Sequence, residues 1–301
     1  MNITITGGSG MIGRRLMKNL LAAGHSLHVL SRHKGTNLPP GVKISAWDAT
    51  RGAPPEESLR DAAAVINLAG EPVAQRWSAD TKARIRESRV AGTRNLVEAM
   101  GKMARRPEVL VNASAVGYYG SRGDEVLDES AAPAGDYLAE VCAAWEKEAQ
   151  AAEALGVRVV RERIGLVLDA RGGALQRMLP PFKMGVGGKL GSGKHWMSWI
   201  HVEDLAGLMR FAVENAAVRG AMNGVAPNPV TNADFTKALA GAVKRPAIFP
   251  MPEFMLKVIF GEMGSILLAS QRVVPKAAQA AGFQFRFPGL EAALADVVRG
   301  N

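Results

Sequence analysis

Asn2-Ile3-Thr4-Ile5-Thr6, running straight into Gly7-Gly8-Ser9-Gly10-Met11-Ile12-Gly13, decides the reading of this 301-residue chain. Ile3 to Thr6 are all β-branched, which suits a short strand. An apolar-striped helix follows, to about Ala23. Glycines at 7, 10 and 13 suit a strand-to-helix turn whose backbone approaches a pyrophosphate. The helix N-terminus behind them offers that anion unpaired N–H groups and a partial positive charge. Glycines also make ordinary turns, but the place between a strand and a helix favours the nucleotide reading. Gly7, Ser9, Gly10, Met11, Ile12 and Gly13 are therefore the expected cofactor-binding positions.

The next predicted strand, Ser26–Leu30, ends in Ser31-Arg32-His33-Lys34. An NAD site places Asp or Glu roughly 20 residues past the glycines to accept the ribose hydroxyls. No acid stands between Gly24 and Trp47. Arg32 and Lys34 instead offer cations, and Ser31 a hydrogen bond, to a 2′-phosphate. The expected cofactor is NADP(H) rather than NAD(H).

A 48% hydrophobic content lets a chain of this length bury one large core, or one core plus a smaller lobe. The single cysteine, Cys142, excludes an internal disulfide and, inside a predicted helix, reads as a buried structural thiol. No signal peptide is expected. The longest apolar stretch, Met255–Leu268, is broken by Lys257, Gly261 and Glu262 and reads as a core or interface helix. The expectation is a soluble cytoplasmic protein with no membrane partner. The net charge of +9 comes from scattered basic residues without interleaved aromatics, which argues against nucleic acid. No His/Cys ligand spacing appears, so no metal is expected.

Further strands are predicted at Val42–Trp47, Ala63–Leu68, Glu108–Ala113 and Arg158–Arg163. Helices are predicted over 79–101 and 136–155, the second closed by Gly156. Such alternation predicts an α/β fold with a doubly wound parallel sheet of the Rossmann type. Ligands then lie at the C-terminal strand ends, where the glycine loop, Ala69-Gly70 and Ser114 converge. Residues 171–195, rich in Gly and Lys, read as a long functional loop. Trp199–His201 reads as a short strand, with Glu203 or Asp204 capping a helix to about Glu214. Gly282–Pro288 alternates like an exposed strand. The expected division is 1–165 for the cofactor and 166–301 for a substrate-side lobe, with some segments returning to the sheet.

Several stretches together resemble the extended short-chain dehydrogenases/reductases. They are Gly7–Gly13, Asn67–Pro72, Ser88–Thr93, Ser114–Gly120, Trp196–His201 and Ala226–Thr231. More narrowly the chain is similar to the atypical, NADP-binding epimerase-like subgroup with its own C-terminal domain. The resemblance implies that Ser114 polarises a substrate oxygen and that Tyr137 passes a proton to or from it. It also implies that Asp48 meets the adenine amine, although a cap ahead of Ala49-Thr50 fits that residue equally. Leu68, Ala69 and Gly70 then line the adenosine ribose and pyrophosphate. The superfamily's Lys, four residues past the Tyr, is Val141 here. A phenol near pKa 10 is a poor base without an adjacent cation, so either Tyr137 serves as a neutral acid in carbonyl reduction or the site uses other groups, with Tyr118, Tyr119 and Glu140 as weaker candidates. Arg89, with Arg76, Trp77, Lys82 and Arg86, stands near the expected cleft mouth and suits a small substrate with an anionic or ring-bearing part.

The implied function is an NADP(H)-dependent oxidoreductase or epimerase-like enzyme acting on a small carbonyl or alcohol. The competing reading, favoured by Val141, is a non-catalytic NADPH-binding regulatory protein. The sequence leaves the oligomeric state open.

Overall fold

The computed structural model describes residues 1–32 and 38–300. Seven strands form one parallel sheet: β1 (Asn2–Thr6), β2 (Ser26–Ser31), β3 (Lys43–Ala46), β4 (Ala64–Asn67), β5 (Val109–Ala115), β6 (Arg158–Ile164) and β7 (Gly220–Gly224). Their spatial order is β3-β2-β1-β4-β5-β6-β7. Thr6 lies opposite Leu30 and Asn67, and Asn67 opposite Asn112, so the C-terminal ends stand level. The chain changes direction across the sheet between β1 and β4, the switch point at which this architecture holds its ligands.

The helices are α1 (Met11–Ala22), α2 (Ala79–Gly101), α3 (Tyr137–Gln150), α4 (Gly173–Lys183), α5 (Val202–Glu214), α6 (Asn232–Val243), α7 (Glu253–Phe260), α8 (Lys276–Ala280) and α9 (Leu290–Arg299). Strand alternation sorts the sheet's side chains into two layers. Ile3, Ile5, Ile66, Val109 and Val111 pack on Leu16 and Leu20 of α1 and on Leu205 and Leu208 of α5. Val65, Leu110 and Val159 face Leu96 and Met100 of α2 and Ala149 of α3. Each such buried aliphatic contributes about 1.5–3 kcal/mol. A third core joins α4, α6 and α9 around Trp199 and Phe235. β7 comes from beyond residue 165 and completes the sheet.

Four expectations change. Residues 171–195 are not one loop, because Leu175, Leu179 and Phe182 recur at helical spacing and bury α4. Gly282–Pro288 is not a strand: the backbone N–H groups of Arg286 and Phe287 donate to the Asp204 carboxylate at 2.8 and 2.9 Å. With Asp204 so used, α5 is capped by His201, whose Nδ1 accepts from the Glu203 N–H at 3.1 Å. Met255–Leu268 is not a core helix either. Only Leu256, Met263 and Gly264 are buried across α7 and the following turns. Among the described residues no helix is long and apolar enough to cross a membrane.

Candidate functional site

The loop between β1 and α1 is built by backbone proximity. Gly7 has φ +67°, and a Cβ there would lie 2.7 Å from the Leu68 carbonyl oxygen. A Cβ on Gly13 would lie 2.6 Å from the Gly7 oxygen, so both positions exclude side chains. Gly10 caps α1 without a side-chain hydrogen bond, and no acid stands in the first turn. Orphan N–H groups thus face a shallow cradle free of competing carboxylates, which fits a pyrophosphate. Ser9 contributes its carbonyl to Arg14 Nε at 2.9 Å. The Met11 side chain packs against Gly172 and Gly173 at the start of α4, and Ile12 against the core.

At the next strand end, Ser31 closes β2 and Arg32 is exposed beyond it. Lys34 lies outside the described residues. The Asp48 carboxyl is held below its usual range by hydrogen bonds from Thr50, with Arg51 and Arg32 adding to the effect. Its Oδ1 accepts from both Thr50 N (3.1 Å) and Thr50 Oγ1 (2.8 Å). Of the two roles open to Asp48, the structure shows the cap.

Beneath the switch point lies a buried polar relay. The Leu68 and Ala69 N–H groups donate to Thr6 Oγ1 at 3.1 and 3.0 Å, and Thr6 donates to Asn67 Oδ1 at 2.6 Å. Asn67 Nδ2 then donates to Thr93 Oγ1 and Asn112 Oδ1. This chain ties β1, β4, β5 and α2 together and sets the height of Leu68, Ala69 and Gly70 beside the glycine loop. Sequence reading missed it, although one polar residue at the end of each strand was its signal.

Arg89 closes the same corner. Its Nη1 donates to the backbone oxygens of Glu71 (2.9 Å) and Ile85 (3.1 Å). The guanidinium lies over the Trp145 ring at 5.1 Å and fills the space where a Gly70 side chain would stand. Tyr137, the first residue of α3, is half-buried nearby. Its hydroxyl donates to the Lys82 carbonyl at 2.6 Å and its ring meets Trp77 edge-on at 5.3 Å. The Lys82 ammonium sits over that ring at 5.1 Å and pairs with Glu262, bringing the C-terminal lobe onto α2. Burial pushes the Tyr137 phenol up, while Arg89 and Arg86 oppose that rise. Val141, in the place of the superfamily's Lys, is buried.

Ser114 does not open into the cleft as expected. Alternation along β5 turns it, with Leu110 and Asn112, toward α3. There its hydroxyl donates to Glu146 Oε1 at 2.7 Å. Glu146 is gripped by Arg163 through bonds of 2.8 and 2.9 Å, and Arg163 Nη1 also donates to Tyr119. Tyr119 is fully buried, donates to Asn223, and burial pushes its phenol up to about 12. Tyr118 lies under the Arg163 guanidinium at 3.5 Å, and Glu140 is exposed on α3. Cys142 is buried, its thiol pushed up to about 11 chiefly by desolvation. No cluster among the described residues is able to hold a metal ion.

Residues 3–223 match the NAD dependent epimerase/dehydratase family, and residues 251–297 match a domain of unknown function, DUF1731. The chain belongs to the NAD-dependent epimerase/dehydratase family. It is 40% identical over 299 residues to the epimerase family protein YfhF of Bacillus subtilis, covering 99% of this chain and 98% of that one. It is equally 40% identical, over 99% of its length and 87% of the relative's, to the SDR39U1 homolog of Arabidopsis thaliana, described as chloroplastic. Among solved structures, human epimerase family protein SDR39U1 with NADPH superposes with a TM-score of 0.90 at 35% identity, over the whole of both chains.

Proposed function

We propose that the chain is an NADP(H)-dependent oxidoreductase of epimerase-like architecture that reduces a small carbonyl compound, with Tyr137 as proton donor. One observation carries this reading: the half-buried Tyr137 hydroxyl donates to the Lys82 carbonyl at 2.6 Å, with the Lys82 ammonium over its ring at 5.1 Å. Such a group holds its proton at neutral pH and suits donation rather than abstraction. The human relative's NADPH supports the cofactor assignment.

Gly7, Gly10 and Gly13, with the N–H groups that open α1, hold the pyrophosphate, and Leu68, Ala69 and Gly70 border it. Ser31 and Arg32 serve the 2′-phosphate. Bound NADPH supplies the hydride for the carbonyl carbon. Tyr137 gives its proton to the carbonyl oxygen, which competes with the Lys82 carbonyl for it. The phenolate left behind is stabilised by Arg89 and by Lys82 above the ring, the work that a Lys at 141 would otherwise do.

NADPH oxidation, followed across a panel of small aldehydes and ketones, tests the reading. Activity that vanishes in Tyr137→Phe while NADPH still binds supports it. Full activity in that variant removes Tyr137 from the chemistry. NADPH binding with no carbonyl reduced gives way to the cofactor-sensing reading, which Val141 favours.

A further inference from the structure

A soluble helix ordinarily turns its apolar stripe inward. α7 does the reverse. Phe254, Met255, Val258 and Ile259 recur at i, i+1, i+4 and i+5 and stand exposed, Phe254 by 67% and Val258 by 73%, while Leu256 alone is buried. The chain leading into α7 extends the apolar surface, with Ile248 70% and Phe249 57% exposed. Alongside run Met184 and Val186, also exposed. They are held there by the Phe249 N–H to the Gly187 oxygen (3.2 Å) and the Met251 N–H to the Lys189 oxygen (2.9 Å). Monomeric proteins seldom leave so much contiguous apolar side chain to water.

The charge around this surface is mostly positive. Lys183, Lys189, Lys237, Lys244, Arg245 and Lys257 are all exposed, and none forms an ion pair among the described residues. Across 183–190 and 237–260 the single acid is Glu253. A second copy docked here about a two-fold axis would set one mostly cationic rim against another, and like charges brought together weaken such a contact. A surface that accepts apolar side chains and carries negative charge at their margin satisfies both features.

We propose that α7, with the flanking segments around Met184 and Phe249, docks the protein on an anionic lipid bilayer. Phe254, Val258 and Ile259 enter the headgroup boundary, and the six cations meet acidic headgroups. This departs from the absence of a membrane partner expected from sequence, because the exposed side of α7 is set by how Leu256 and the 261–268 turns pack. The docked face adjoins the cleft, since Glu262, just past α7, pairs with Lys82 beside Tyr137. The proposal stands apart from the assignment of Tyr137.

The test is co-sedimentation of the full chain with vesicles of phosphatidylcholine alone or mixed with phosphatidylglycerol. The expected result is roughly tenfold or more additional binding to the anionic vesicles, weakened by salt. Val258→Asp, on the apolar stripe, and Lys244→Glu with Arg245→Glu, on the exposed rim, should each reduce pelleting to the phosphatidylcholine level. Circular dichroism should stay unchanged, so failure to fold is separable from failure to dock. Equal pelleting with both vesicle types overturns the proposal, as does none with either. So does a dimer in light scattering that Val258→Asp dissociates, which assigns the face to a second copy.

Discussion

Ser114 Oγ donates to Glu146 Oε1 across 2.7 Å, in a site where Ser114 is only 3% exposed. A hydroxyl has one proton to give, and here a carboxylate takes it. In this arrangement Ser114 fastens β5 to α3. Ser114→Ala is expected to lower stability by about 1–3 kcal/mol, the cost of a buried acceptor losing a donor, while NADPH affinity stays the same. Urea denaturation beside NADPH titration measures both. A variant as stable as its parent but slower in turnover would return Ser114 to the cleft.

The ion pair behind it is the more sensitive member. Glu146 and Arg163 are joined by two parallel hydrogen bonds with both side chains buried. Removing Glu146 leaves the buried Arg163 without its counter-charge, and removing Arg163 leaves Glu146 only the longer contact with Arg161 at 3.5 Å. Arg163→Met or Glu146→Ala should each cost about 3–5 kcal/mol. Replacing both with apolar residues should cost less than the sum of the two, because no lone charge remains. Additive losses in a double-mutant cycle would show that the pair does not act as a unit.

Much of the fold was legible because its signals are local. The strand periodicity, the glycines at 7, 10 and 13 and the closing Gly156 each lie within a few residues of what they determine. The site was legible only where backbone geometry builds it. The Ser114 contact was not legible because it depends on which face of β5 meets Glu146, 32 residues away. Asp204 was misread as a cap because its partners are backbone groups 82 and 83 residues on. Leu175, Leu179 and Phe182 were hidden among prolines and glycines. The exposure of α7 follows from its neighbours and from nothing in its own composition.

Glu162 on β6 is fully buried, and neither carboxyl oxygen has a hydrogen-bond partner. Desolvation holds its carboxyl well above the ordinary value, so the folded chain keeps a proton there. Below the ordinary glutamate value of about 4.3, folded and unfolded states are both protonated and the site carries no titration penalty. Above it the unfolded chain releases a proton that the folded one retains. Stability then falls as pH rises, until the folded carboxyl itself ionises. Glu162→Met should be about 1–3 kcal/mol more stable at neutral pH, with an advantage that shrinks toward pH 4. Thermal melts of both proteins at several pH values check this; an advantage independent of pH would mean that the carboxyl is not buried neutral.

Gly13→Ala places a methyl group 2.6 Å from the Gly7 oxygen. The loop has backbone on that side, so it must open. The expected cost is about 1–3 kcal/mol of stability, together with a NADPH affinity too weak to measure by fluorescence titration. Gly24→Ala is the control for a generic glycine loss, since nothing lies within 4 Å of its would-be Cβ. Its φ of +80° costs stability, and NADPH binding should survive. Equal NADPH losses in the two variants would separate the glycine loop from the cofactor.

Arg32 tests the choice between the two nicotinamide cofactors. It stands exposed just beyond β2, within the electrostatic reach of Asp48, with no acid from Gly24 to Trp47 to receive ribose hydroxyls. A charged hydrogen bond to the 2′-phosphate is worth about 1.5–3 kcal/mol when sheltered, and less at an exposed site. Arg32→Ala should therefore weaken NADPH binding by roughly tenfold and leave NADH binding within a factor of about two. Raising salt should shrink the difference, because an exposed cation is screened over about 10 Å at 0.1 M ionic strength. Equal losses for NADPH and NADH would mean that Arg32 contacts a part common to both, and the 2′-phosphate would then need another partner.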